Sequence, residues 1–165
     1  MPSNPFLEYC CVKVTPDIAV VSNGNHTEPI CDRVAEGVPP VLALSLVLTA
    51  LGYEQDGQGT PRIAAVVDRR SEIGWLELVS MDGVEIRCCP LEAGQMAVVA
   101  TNEWTRPGQN RLPIYAVDSG TLAREVLTAG PWSDLQCGIA AAAVVGSNLG
   151  WSTIGISTNV SAEWI

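Results

Sequence analysis

The chain has 165 residues, a length that suits one domain of ~100–200 residues, and 47% of them are apolar, enough to bury a core. A net charge of −9 excludes nucleic acid as a partner, because phosphate-backbone binding needs a basic face, but it leaves room for a small anion held by a local cluster of donors. No apolar run approaches the ~18 residues of a membrane span, and residues 1–7 carry neither a basic nor an apolar leader segment, so the reading is a cytoplasmic chain without a membrane partner.

In chain order, residues 6–14 and 18–21 read as two strands, the second ending in the turn composition Ser22-Asn23-Gly24-Asn25. Thr27 is placed to cap a short helix that starts at Glu28, has Pro29 in its first turn and stops at Gly37. Pro39-Pro40 opens a second helix to about Leu51, apolar nearly all round and therefore expected to be buried on most sides. Strands follow at 63–67, 75–80, 84–89 and 96–101, with Met81-Asp82-Gly83 as a hairpin turn. Residues 102–113 read as a polar loop, 119–127 as a helix, and the apolar runs 139–145 and 153–156 as further elements; the first of these is ambiguous between helix and strand. The order implies an α+β layered domain over 1–165, with an antiparallel sheet and helices outside it.

The six cysteines, Cys10, Cys11, Cys31, Cys88, Cys89 and Cys137, show no Cys-x-x-Cys spacing and read as small buried hydrophobes rather than as zinc ligands or disulfides. One Lys stands beside eight Arg in an acidic chain, a composition typical of proteins kept soluble by carboxylates at high salt.

The stretch Tyr53-Glu54-Gln55-Asp56-Gly57-Gln58-Gly59-Thr60-Pro61-Arg62-Ile63-Ala64 gathers two acids, an Arg and two glycines between apolar elements, the makeup of a turn or of the lip of a site. Ahead of it lie Asn4-Pro5-Phe6-Leu7-Glu8-Tyr9 and Ala19-Val20-Val21-Ser22-Asn23-Gly24-Asn25-His26-Thr27. With these three motifs in this order, the chain resembles the archaeal inosine monophosphate (IMP) cyclohydrolase family over roughly residues 4–67, with a weaker echo at 140–145. The resemblance implies a four-layer αββα sandwich of the N-terminal-nucleophile-hydrolase type. It also implies dehydrative closure of the formamidoimidazole-carboxamide ribotide FAICAR to IMP, with a purine ribotide as small-molecule partner and no cofactor. Family members carry an earlier segment with Gly-Arg and Ser-Arg-Ser-Phe-Pro-Asn-Arg stretches suited to phosphate and ribose, so the domain is expected to be N-terminally incomplete here. Its open sheet edge would then be available to a second copy in a homo-oligomer.

For that chemistry Glu54, at a helix end beside apolar residues, is the expected general acid or base, and Tyr9 a phenol able to donate to a developing oxyanion. Arg62 could grip a phosphate or a carboxamide oxygen, or clasp Glu54 or Asp56 structurally. Asp56 either helps place Arg62 or forms the turn. Ser22, Asn23 and the single histidine, His26, are candidate substrate contacts in the turn after the second strand, His26 equally a turn or capping residue. Glu103, with Arg106, is a weaker candidate, and Arg62, Arg106 and Arg111 are the arginines left to face a substrate phosphate. The alternative to an active enzyme is a purine-ribotide-binding or scaffold domain without turnover.

Overall fold

The computed structural model describes residues 9–101, 106–128 and 140–158. They fall into two compact units, Met1–Pro113 and Ile114–Ile165. In the first, a five-stranded antiparallel sheet runs in sequence order: β1 (Val12–Val14), β2 (Ile18–Ser22), β3 (Arg62–Asp68), β4 (Ile73–Ser80) and β5 (Gly83–Pro90). The link from β2 to β3 carries both helices of the unit, α1 (Thr27–Ala35) and α2 (Pro40–Leu51). A short hairpin, β6 (Gln95–Val98) with β7 (Asn110–Pro113), completes it. The α+β class and the antiparallel sheet agree with the sequence reading.

Register decides which residues share a face, because neighbours on a strand point to opposite sides. Val20 pairs with Val66, and Val66 with Trp75; Ala64 pairs with Glu77, and Arg62 with Val79. These residues lie on the side covered by the helices, where Val20, Ile30, Cys31, Leu44, Leu48, Ala64, Val66 and Val79 form the core. The opposite side carries Ala65, Leu76 and Arg87 in one cross-strand row, with Leu78 opposite Glu85 and Cys89 opposite Gly74 in the rows on either side. Lys13, on the helix side, reaches Asp32 of α1 at 2.9 Å and so fastens the edge strand to the helix.

Several expectations are corrected. The helix α2 buries one stripe only, Ala43, Leu44 and Leu48, and exposes Val41, Leu42, Leu46 and Leu51. Its core contact is the two-turn i, i+4 ridge against the sheet, so an all-apolar sequence does not translate into burial on most sides. Cys31 and Cys89 are buried, but Cys10, Cys11 and Cys88 are exposed. Cys10 and Cys11 precede the short edge strand instead of lying inside it. Cys137 lies outside the described residues, as does the expected strand start at 6–8. The polar loop contains strand β7, whose partner β6 supplies its ladder.

In the second unit, α3 (Ser119–Thr128) packs on a hairpin of β8 (Ala140–Ala143) and β11 (Gly155–Thr158), with β9 (Gly146–Ser147) and β10 (Gly150–Trp151) pairing between them. The Ala-rich run is thus a strand. Asp118 caps α3 by accepting from the Thr121 amide at 2.9 Å and the Thr121 hydroxyl at 2.6 Å. A Cβ at Gly155 would collide with the Ser119 backbone, which is why the hairpin can approach the start of α3 this closely.

One core position breaks the apolar pattern. Glu77 is fully buried among Trp75, Val79, Ala64 and Ile86, and neither carboxyl oxygen has a partner among the described residues. Desolvation raises its pKa from 4.5 to about 7. The folded form therefore holds a proton that the unfolded chain releases as pH rises above 4.5. Stability is full below that value and falls until pH passes about 7, by roughly 3 kcal/mol if the whole shift is expressed. Glu77→Gln is expected to remove this slope. Urea unfolding at pH 5 and pH 8 checks it, and an unchanged pH dependence in the variant would contradict the assignment.

Candidate functional site

The site is built where the turn after β2 meets the start of β3. Asn23 holds the two together: its Nδ2 donates to the Pro61 carbonyl at 3.0 Å, and its Oδ1 accepts from the Ile63 amide at 2.9 Å. The side chain thereby acts as one more rung of the β2–β3 ladder past its last residue pair. Ser22 and Thr27 close the turn from inside, their hydroxyls 2.6 Å apart and both within reach of the Gly24 carbonyl. Thr27 is therefore not the cap of α1. That position falls to His26, whose side chain makes no capping bond.

His26 is fully buried and points the other way, toward β3. Its Nε2 lies 3.0 Å from the Ile63 carbonyl. A carbonyl only accepts, so Nε2 carries the proton and Nδ1 keeps its lone pair. Nδ1 is buried and has no partner among the described residues. Burial, and after it the nearby Arg62 charge, lower the pKa of His26 despite its bond to Ile63, so the ring is neutral at physiological pH. Gly24 makes room for this: a Cβ there would stand 2.9 Å from the His26 ring and 3.2 Å from Arg62 Nη1.

Arg62 opens β3 on the helix side and is largely buried. Its Nη1 donates to Glu54 Oε1 at 3.1 Å, the side chains being 11% and 23% exposed. Its Nε has no partner among the described residues. Glu54 is carried by the loop between α2 and β3, which is closed by the Glu54 amide donating to the Thr60 carbonyl at 2.9 Å. Asp56 shapes that loop: it accepts from the Gln58 and Thr60 amides and from the Thr60 hydroxyl, bonds that hold its pKa down at about 2. Asp56 is thus the turn former, and the clasp on Arg62 is made by Glu54. Tyr9 is partly exposed and lies within electrostatic reach of Glu54. Its phenol is pushed above its ordinary pKa by burial, then by Cys11 and by the charge of Glu54.

Glu54, Arg62 and His26 therefore lie around one corner, with Ser22 and Asn23 building its wall, and Tyr9 is near enough for its phenol to feel the charge of Glu54. Glu103 lies outside the described residues. Sequence reading missed Gly24 and Thr27, for which the Asn-Gly turn was the available sign, and Glu77, visible only as a lone acid in an apolar run. No three of His, Cys, Asp and Glu among the described residues come together as a metal-holding set.

The segment that builds this corner lies within a match to a known family. The model for "IMP cyclohydrolase-like protein" matches residues 1–146. The chain belongs to the IMP cyclohydrolase-like family. It is similar to the IMP cyclohydrolase of Methanocella arvoryzae, 37% identical over 126 residues that make up 76% of this chain and 61% of the relative. The corresponding figures are 39% over 123 residues, 74% and 60%, for the IMP cyclohydrolase of Methanothrix thermoacetophila. For that of Halobacterium salinarum they are 36% over 129 residues, 77% and 62%. The chain thus spans about three-fifths of the length of these relatives. Among the described residues no helix is long and apolar enough to cross a membrane.

In this family member, Asn23→Ala should strip the Pro61 carbonyl and the Ile63 amide of their partners at once. An unfolding free energy lower by roughly 2–4 kcal/mol is expected, read by urea denaturation. A loss below about 0.5 kcal/mol would show that solvent replaces both bonds and that the clamp is dispensable.

Proposed function

We propose that the chain carries out the cyclohydrolase reaction named for its relatives, closing FAICAR to IMP with release of water, in the cytoplasm. The observation that carries this is the Glu54–Arg62 pair beside a neutral His26, within the family-matched segment. In the closure the substrate's carboxamide nitrogen bonds to its formyl carbon, that nitrogen and the formamide nitrogen each give up one proton, and the formyl C–O bond breaks so that the oxygen leaves with both protons as water while a ring C=N bond forms. Both reacting groups are weak, so orientation and placed proton carriers supply the rate.

Glu54 takes the amide proton. In the resting corner its carboxylate is clasped by Arg62 at 3.1 Å. A substrate oxygen that draws Arg62 toward itself releases Glu54 at the moment a base is needed. Tyr9 donates to the formyl oxygen as negative charge builds there. The lone pair on His26 Nδ1 and the free Nε–H of Arg62 offer one acceptor and one donor to the polar edges of the ring. Asn23 and Ser22 serve by position, since their polar atoms are already occupied by the turn and by β3.

The five-stranded sheet with helices on one face is, in this reading, half of the αββα sandwich that the family resemblance implies. On its other face, Leu76 is covered by the β6–β7 connection at Gly108.

Glu54→Gln keeps a hydrogen-bond partner for Arg62 while removing the base. Turnover of FAICAR, followed by the absorbance of the purine formed, is expected to fall about 10²-fold or more, with the thermal midpoint little changed. Equal rates in the two proteins would remove Glu54 from the chemistry.

A further inference from the structure

Three arginines that the corner does not use gather on the other side of the sheet. Arg87, in β5, pairs in register with Leu76, so it stands on the face opposite Arg62, Glu77 and the helices. Facing it is the connection between β6 and β7. Pro107 of that connection is fully buried, and the Gly108 amide donates to the Val98 carbonyl at 3.1 Å. Gly108 has φ +65°, and a Cβ there would stand 2.6 Å from Cys89 Sγ and 3.7 Å from the Arg87 Cβ. The loop is seated directly on the floor of the sheet, which fixes Arg106 just before it and Arg111 just after. Between floor and loop lies a cavity of about 250 Å³, lined by Glu85, Arg87, Cys89, Arg106, Gly108 and Arg111 among others.

The charge balance of this cavity is the reverse of the chain's. Three guanidiniums and one carboxylate line it, in a protein of net charge −9. Two carboxylates offset part of that charge, Glu85 on Arg87 and Glu92 on Arg111, and leave Arg106 as the excess. Arg87 meets Glu85 through Nε alone, at 3.1 Å, and its two Nη groups have no partner among the described residues. Arg111 is held by Glu92 at 3.2 Å and by the Pro90 carbonyl at 3.2 Å, an anchorage that orients its fork. Arg106 is exposed and makes no side-chain hydrogen bond or ion pair among the described residues. Like charges collected in a cleft repel each other until an anion sits between them, and guanidinium forks match phosphate oxygens two at a time.

We propose that this cleft is a second, phosphate-binding site, separated from the Glu54–Arg62 corner by the thickness of the sheet. Its volume lies just below the ~300–1,000 Å³ of typical small-molecule pockets, which suits a phosphoryl group with little attached: inorganic phosphate, or the phosphate end of a small phosphorylated metabolite. Occupancy would tie β5 to the β6–β7 hairpin and so stabilise the face of the sheet that the helices do not cover.

Calorimetric titration with inorganic phosphate, pyrophosphate and ribose 5-phosphate, at ionic strength held constant with chloride, tests this. Saturable binding is expected, weakened at least tenfold in Arg87→Gln/Arg106→Gln. Arg106→Gln alone, a change at an exposed side chain, should weaken it at least threefold, and Arg62→Gln less than twofold. Tighter binding of ribose 5-phosphate than of inorganic phosphate, with the same arginine dependence, would assign the site to a phosphorylated metabolite. The reverse order would assign it to the free anion. Absence of saturable binding by all three probes would overturn the proposal. So would binding that survives the double substitution and disappears in Arg62→Gln. None of these readouts involves turnover, so they stand apart from the assay of Glu54.

Discussion

A guanidinium held against an apolar core is the constraint around which the first unit is arranged. Arg62 belongs by register to the same face as Ala64 and Val66, and its side chain is nearly as buried as theirs. Such a charge is tolerated only with a partner, and Glu54 supplies one at 3.1 Å. The surrounding features follow from that need. Gly24 leaves out a side chain where the guanidinium and the His26 ring approach each other. His26 gives its one proton to the Ile63 carbonyl and stays neutral beside the positive charge. Asp56 and the Glu54–Thr60 backbone bond curl the loop so that Glu54 arrives at the right depth.

In the proposed reaction, the bond that stabilises Arg62 is the one that has to be exchanged before Glu54 can turn to a substrate. Under the proposed reaction, a structural clasp and a catalytic pair are one object in two states, distinguished by whether a ligand oxygen competes for the guanidinium. This is the physical content of the choice left open for Arg62 by the sequence: the clasp is present at rest, and function under the proposed reaction consists in loosening it.

Much of the sheet could be read from residue patterns. The strands at 63–67, 75–80 and 84–89 each fall inside an observed strand, because alternating or continuous β-branched runs bounded by Gly, Asp and Pro leave little choice. What the pattern could not show was which face each residue takes. That depends on pairing register, and register places Glu77 inside the core and Arg87 on the far side. The turn residues were legible as a group, from Ser22 to His26, but not in their roles. Asn23 turned toward the backbone of a strand 38 and 40 residues away, a contact no local spacing encodes. Thr27 looked like a cap because Thr before an acidic first turn usually is one, yet its hydroxyl faces Ser22. The polarity of residues 102–113 suggested a loop and hid a strand, since a two-stranded ribbon with solvent on one side needs few apolar residues; Arg106 and Arg111 were visible in it, but their nearness to Arg87 was not.

The central claim is that the Arg62 corner, and not the arginine cleft across the sheet, receives the purine ribotide. Titration of IMP into isotope-labelled protein, observed by amide, arginine Nε–H and histidine-ring NMR signals, tests it most directly. The account predicts saturable shifts at Gly24, at the His26 ring nitrogens and at Arg62 Nε–H, with Arg87 Nε–H moving little. Shifts confined to Arg87, Arg106 and Arg111, with the His26 ring unmoved, would contradict it.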